Sequence, residues 1–126
     1  RQFVQAFVDD VLIERNGEKL YDYSKWNGFT EHNPHFSDEV DGPITVVSLS
    51  DTGEGEHISY RICHRVLAEG NFVLAVCEGT LHGSPAAFFD LFRLEHGWIV
   101  EHWDTAETIP PAEEWKNDNG KFRGLT

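Results

Sequence analysis

The stretch of sequence that decides the fold is Ala86-Ala87-Phe88-Phe89-Asp90-Leu91-Phe92-Arg93-Leu94-Glu95-His96-Gly97-Trp98-Ile99-Val100-Glu101-His102-Trp103-Asp104. It predicts two strands, residues 86–94 and 98–107, whose connection is so short that they must run antiparallel. Two earlier runs of strand-forming residues, Ile58–Glu69 and Phe72–Leu81, are also separated by short turns. The four runs together predict an antiparallel meander.

The turn of the last hairpin determines which side chains share a face. A two-residue His96-Gly97 turn needs positive φ at both positions, which histidine tolerates poorly. We therefore expect a three-residue loop, 95–97, with Gly97 alone left-handed. This register places Asp90 opposite His102 and puts Asp104 on the same face, whereas an error of one residue would separate the two carboxylates. The whole set on that face is Phe88, Asp90, Phe92, Val100, His102 and Asp104.

The first residues predict a helix, because apolar side chains recur at the helical spacing. They are Phe3, Val4, Phe7, Val8, Val11 and Leu12. Gly17 is a natural C-terminal stop for this helix, and a short second helix is expected over 18–25. Residues 43–50 stay undecided, since Asp41-Gly42-Pro43 resembles a helix entry whereas the β-branched residues that follow favour a strand. Helices followed by a meander give an α+β class, and one domain is expected over 1–126.

Charge and composition restrict the partners. The net charge is −12, and no stripe of lysine and arginine reverses the local field, so neither nucleic acid nor an anionic membrane surface is an expected partner. No apolar run approaches the roughly 20 residues of a membrane span. The two cysteines are too few for a disulfide framework and suit a reducing cytoplasm.

The cysteines themselves are expected on opposite faces of the sheet. A two-residue turn at Gly70-Asn71 places His64 opposite Cys77, with Cys63 on the other face. This register disfavours a disulfide between the two thiols. A Cys–His nucleophile pair is the functional alternative to the commoner role of buried cysteine as a small apolar residue.

Several of these segments resemble one protein family. They are residues 63–71 (CHRVLAEGN), 87–93 (AFFDLFR) and 97–104 (GWIVEHWD), preceded by His32-Asn33-Pro34. The ordered set resembles the SnoaL-like polyketide cyclase branch of the nuclear transport factor 2-like (NTF2-like) superfamily. The resemblance implies a cone-shaped α+β barrel, with N-terminal helices packed in a curved antiparallel sheet, that forms a homodimer through the outer sheet surface.

The resemblance also implies a role for Asp104, which matches the family's catalytic acid/base at the end of the final hairpin. The position of Asp90 is a histidine in the cyclase that names the branch, so the partner group differs. His102 and Asp90 are then the candidate partners in proton transfer, and a purely structural Asp–His pair is the alternative. For Asp104 the alternative is a solvated carboxylate at a strand end.

The expected function is proton transfer, aldol-type cyclisation or isomerisation of a mostly apolar, polyketide-like carbonyl compound. Contact with this ligand is expected from His32, His64, Trp26, Phe88 and Phe92. Such chemistry needs no cofactor, and none of the seven histidines belongs to a compact metal-binding motif, so no metal is expected. A non-catalytic small-molecule-binding module and a homodimeric accessory protein are the alternatives, because a fold does not fix a function.

Overall fold

The computed structural model describes residues 1–14, 22–23, 30–32 and 58–125. Helix α1, Gln2–Phe7, continues directly as a wider π-helical segment, Val8–Ile13. The strands are β1 (Thr30–Glu31), β2 (Ile58–Glu69), β3 (Phe72–Leu81), β4 (Ser84–Glu95) and β5 (Trp98–Thr108), followed by a short 3₁₀ turn, Ala112–Glu114. The limits predicted for β2 and β3 are confirmed. Residues 43–50 and nearly all of the expected second helix lie outside the described residues.

The strands form one sheet in the order β1-β5-β4-β3-β2. The four long strands pair antiparallel with their neighbours, as the meander predicts. Strand β1, which the sequence does not predict, adds a parallel edge next to β5. Two residues are too few to show a period of two, so the sequence could not indicate this strand.

The N-terminal helix packs on one face of the sheet through its predicted apolar stripe. Val4, Val8 and Val11 are completely buried, and Phe7 meets Phe92 of β4 edge to face, with 5.5 Å between ring centroids. Tyr23 makes a second edge-to-face contact with Phe7, with 5.6 Å between the ring centroids. A helix on one face of a curved antiparallel sheet confirms the α+β cone. In the described part of the chain, no helix has the length and apolarity to cross a bilayer.

The last hairpin turns through two residues, so the expected three-residue loop is wrong. His96 and Gly97 have φ of 53° and 82°, the left-handed pair of a type I′ turn. His82-Gly83, which joins β3 to β4, has nearly the same angles. The twist of a type I′ turn matches that of the strands it joins, and this match outweighs the strain on one histidine.

A β-bulge in β5 compensates for the shorter turn. Leu94 pairs with Ile99 and Arg93 with Glu101, so Val100 is an extra residue without a partner strand residue. Beyond the bulge the alternation is shifted by one, which places Asp90 directly opposite Asp104 and not opposite His102.

The bulge therefore decides which face each carboxylate occupies. The prediction that Asp90 and Asp104 share a face is confirmed, although its basis, a three-residue loop, is wrong. The expected register is wrong for Ile99. It put this residue on the outer face, whereas Ile99 is 2% exposed and lies in the core.

Strand β2 contains two more bulges, at Arg61 and His64. The regular pairing from the Gly70-Asn71 turn stops at Arg65, and Cys63, not His64, lies opposite Cys77. The expected pairing of His64 with Cys77 is therefore wrong. The bulge turns His64 to the outer face of the sheet, away from the helix.

The C-terminal tail covers part of that outer face. The ring of Phe122 stacks on His64 with 4.4 Å between centroids, and Arg65 Nε donates to the carbonyl of Leu125 at 2.7 Å. Lys121 pairs with Glu107 at 2.8 Å. A groove of about 570 Å³ remains between tail and sheet. The tail thus lies over the outer face between the end of β5 and the middle of β2.

Replacing His96 with asparagine should stabilise the protein. Asparagine adopts left-handed backbone angles more readily than histidine, so His96→Asn should raise the free energy of unfolding by about 0.5–1 kcal/mol in urea titrations. His96→Ala removes the same side chain without that tolerance and should give no gain. Equal stability of the two variants would show that backbone strain at this turn is negligible.

Candidate active site

Three strands bring Tyr60, Asp90 and His102 together on the helix side of the sheet. The Tyr60 hydroxyl donates to Asp90 Oδ2 at 2.7 Å, and His102 Nε2 lies 2.7 Å from Asp90 Oδ1. Asp90 is 1% exposed and His102 is 3% exposed. A carboxylate buried so deeply requires hydrogen-bond partners, and each oxygen of Asp90 has one.

This network fixes the state of His102. An ionised Asp90 can only accept hydrogen bonds, so the proton in its contact with His102 belongs to Nε2. In a neutral imidazole, Nδ1 is then the unprotonated nitrogen. Asp90 thereby sets both the orientation and the tautomer of the ring.

Asp104 is the third member of the cluster and the most exposed of the three. It lies two residues beyond His102 on β5 and directly opposite Asp90 on β4. One of its oxygens, one ring nitrogen of His102 and one oxygen of Asp90 all lie within 4.8 Å of one another. Unlike the other two residues, Asp104 is partly exposed, so it is the member of the cluster that an incoming molecule can reach.

Tyr60 is the functional residue that sequence reasoning missed. Burial raises the pKa of Tyr60 well above its ordinary value, and the charge of Asp90 and the hydrogen bond to it raise that pKa further. The hydroxyl therefore remains a donor throughout the neutral range. No sequence signal identifies Tyr60, because two bulges separate it from the Gly70-Asn71 turn that sets the register.

Gly79 lets β2 approach β3 closely enough to place Tyr60. The two residues are paired, and a Cβ added to Gly79 would stand 1.8 Å from the carbonyl oxygen of Ser59 and 3.1 Å from Phe88. The first contact is with backbone, which cannot rotate away as a side chain can. Only glycine fits at this position.

Two predicted ligand-contact residues form apolar walls around the network. Phe88 stacks on Tyr60 with 4.5 Å between ring centroids, and Phe92 lies against the His102 ring at 5.0 Å. Both phenylalanines are 3% exposed. They exclude water from the hydrogen bonds of Asp90, which strengthens those bonds.

The two histidines predicted as ligand contacts lie on the outer face of the sheet, so the structure does not bring them together with the cluster. His64 Nε2 is 2.8 Å from Glu78 Oε1, on the face that the bulge gives it. His32 follows the edge strand β1, where its ring stacks flat on Trp103 at 4.4 Å and its Nε2 is 2.5 Å from Glu101. Trp26, the remaining predicted contact, lies outside the described residues.

Asp90, His102 and Asp104 are also the described residues that could act together as metal ligands. Two donors that share a tetrahedral zinc ion, each about 2.0–2.1 Å from the metal, lie about 3.3 Å apart. The 2.7 Å between His102 and Asp90 is shorter and matches a hydrogen bond to a carboxylate. Asp90 and His102 are therefore spaced as a hydrogen-bonded pair.

Comparison with known proteins identifies the fold. No protein-family model matches the chain, and neither does any curated protein. Three of the similar solved structures come from Kribbella flavida, Acidithiobacillus ferrooxidans and Cytophaga hutchinsonii.

The Kribbella protein, described as a ketosteroid isomerase, has a TM-score of 0.68 at 16% identity, with 100% of this chain and 94% of that chain covered. The Acidithiobacillus protein, described as a polyketide cyclase, has a TM-score of 0.65 at 16% identity, with 84% and 86% covered. The Cytophaga protein, an NTF2-like protein of unknown function, has a TM-score of 0.64 at 22% identity, with 85% and 88% covered. The chain has the NTF2-like fold, which confirms the fold that the sequence resemblance implies.

Substituting Gly79 should damage both stability and the site. Because the added methyl group meets the Ser59 backbone, Gly79→Ala should lower the free energy of unfolding by about 2–3 kcal/mol in urea titrations. It should also separate Tyr60 from Asp90, seen as a lower Tyr60 pKa in an absorbance titration. Thr80→Ala, one position along on the outer face, is the control and should change stability by less than about 1 kcal/mol. Equal effects of the two substitutions would contradict the close approach.

Proposed function

We propose that the protein, as a single domain over residues 1–126, is an enzyme that uses Asp104 as a general acid/base. The substrate is a small, mostly apolar carbonyl compound, and the reaction is an aldol-type cyclisation or an isomerisation. The observation that carries the proposal is the contrast between two neighbouring carboxylates. Asp90 is buried and has a hydrogen bond at each oxygen, whereas Asp104 lies beside it and is partly exposed.

Two carboxylates in such different surroundings suit different roles. Asp90 is held by Tyr60 and His102 and acts as a positioning residue. Asp104 is the carboxylate that can approach a substrate, and its neighbour His102 presents a ring of fixed orientation to it. The buried phenylalanines keep this part of the site dry, which favours an apolar substrate.

The reaction follows from these positions. Asp104 removes a proton from the carbon next to the substrate carbonyl, and the electron pair of that C–H bond forms an enolate. In an isomerisation, Asp104 returns the proton to another carbon of the same conjugated system. In an aldol step, the enolate carbon attacks a second carbonyl carbon, and the resulting alkoxide takes the proton back from Asp104. Neither route consumes an oxidant or a reductant.

The structural comparisons support the substrate class. The proteins described as a polyketide cyclase and a ketosteroid isomerase share the fold, and both names denote enzymes whose substrates are ketones. At 16% identity these similarities are to the fold, so the two names add support to the substrate class while the proposed reaction depends on the cluster itself.

Proton exchange in D₂O tests the role of Asp104 with simple model ketones, whatever the natural substrate is. A panel of cyclic ketones, enones and β-dicarbonyl compounds is incubated with protein, and loss of the proton next to the carbonyl is followed by ¹H NMR. Asp104→Asn keeps the size of the side chain and removes its basicity. It should slow exchange of any accepted compound by about 10²–10⁴-fold.

Glu107→Gln is the matched control, because it neutralises an exposed carboxylate on the same strand and should leave the exchange rate unchanged. Undiminished exchange in Asp104→Asn would remove Asp104 as the base. If the wild-type protein binds a compound of the panel tightly and exchanges none of its protons, the non-catalytic binding module is the better description.

We also infer that the protein is a homodimer formed through the outer sheet face. One row of apolar side chains crosses four strands on that face: Leu67, Leu74, Leu91 and Trp103. Leu67 is 51% exposed, and Ile62 and Phe72 near the row are also exposed. Among the described residues, the tail covers a different part of the face and His32 covers Trp103 at one end of the row. A second copy of the chain, which presents the same row, can pack against its leucines.

A charge in the row should break the dimer. Leu67→Asp places one unpaired charge in the interface from each copy, and the cost of burying these charges should weaken dimerisation roughly 100-fold or more. Light scattering coupled to gel filtration over a dilution series measures this change, with Asn119→Asp in the tail as the control of equal charge. A wild-type protein that is monomeric at all concentrations, or dimers that survive in Leu67→Asp, would refute this interface.

A further inference from the structure

The two cysteines face each other across the sheet. Cys63 on β2 is paired with Cys77 on β3, and both side chains point to the helix side, because the bulge at His64 has shifted the register. Both are free thiols. Paired residues of antiparallel strands have Cα atoms about 4.5–5.5 Å apart, inside the range of about 4.4–6.8 Å that a disulfide spans. The backbone therefore already has the spacing that a disulfide needs.

We propose that Cys63 and Cys77 form a reversible oxidation site, at which a hydroperoxide converts the two thiols into an intramolecular disulfide. This inference goes beyond the proposed function and does not depend on it. It also reverses the expectation from the sequence, in which the two cysteines occupy opposite faces.

The surroundings of the thiols assign their roles. The hydrogen bond from Cys77 lowers the pKa of Cys63 to about 7, with a further contribution from Gln5, although burial opposes the shift. The hydrogen bond to Cys63 and burial raise the pKa of Cys77. Cys63 is also the more accessible thiol, whereas Cys77 is fully buried. Cys63 is thus the thiol that is ionised and reached by the oxidant, and Cys77 is the resolving thiol.

The chemistry balances with hydrogen peroxide as the oxidant. The Cys63 thiolate, having lost its proton to solvent, attacks one peroxide oxygen, the O–O bond breaks, and hydroxide leaves and takes up a proton. Cys63 is now a sulfenic acid. The sulfur of Cys77 attacks the sulfur of Cys63, the S–O bond breaks, and the hydroxide that leaves takes the Cys77 proton to form water. Two thiols are oxidised and one peroxide is reduced to two waters.

Mass spectrometry of the full chain tests the proposal directly. After treatment with hydrogen peroxide and denaturation in an alkylating agent, the wild-type protein should have lost the mass of two hydrogen atoms and should bind no alkyl groups. Peptide mapping should recover Cys63 linked to Cys77 of the same chain, and dithiothreitol should restore both thiols. The cross-link closes a loop between β2 and β3, so the Tm of the oxidised protein should rise by about 10 °C.

Single substitutions separate the two roles. Cys63→Ser should leave Cys77 as a thiol under the same treatment, whereas Cys77→Ala should leave Cys63 as a sulfenic acid that dimedone traps. The wild-type experiment shows whether the disulfide forms even if a variant fails to fold. Two alkylated thiols after peroxide treatment, or disulfides only between separate chains, would overturn the proposal. Loss of proton exchange in Asp104→Asn has no bearing on this outcome.

Discussion

The site depends on one buried carboxylate. Asp90 lies in the apolar interior of the sheet, where an unpaired charge would cost several kcal/mol, and it is tolerated because Tyr60 and His102 each satisfy one of its oxygens. Tyr60 belongs to β2 and His102 to β5, on opposite sides of β4 in the sheet. Asp90 can therefore be buried only when β2, β3, β4 and β5 pair in this register. One hydrogen-bonded network thus depends on the register of all four long strands.

The sequence predicted the order of the long strands and the apolar stripe of the first helix, because both depend on local periodicity and on strong turn signals. It also predicted that Asp90, His102 and Asp104 share a face. What it could not predict are the three bulges, at Arg61, His64 and Val100. A bulge is a property of paired strands, and none of these residues differs in type from an ordinary strand residue.

The bulges explain why the positions of His64, Tyr60 and the two cysteines were not predicted. The bulge at His64 places that histidine, a predicted ligand contact, on the outer face and brings two cysteines together. The same strand, shifted by a second residue at Arg61, carries Tyr60 into the network. The outer-face position of His32 was not predicted for a different reason. The parallel strand before it has only two residues, which is too short for a periodic pattern in the sequence.

The bulge at Val100 has a consequence for the comparison of related sequences. The distance along the chain between the His96-Gly97 turn and Asp104 does not by itself fix the face on which the carboxylate stands. A relative with the same turn and the same spacing but a regular β5 would pair its aspartate with position 89 and place it on the outer face. Homologues should therefore be aligned with a permitted one-residue gap at position 100, because a relative that lacks this residue keeps its aspartate opposite position 90. Shared chemistry should be inferred only where the aspartate pairs with that position.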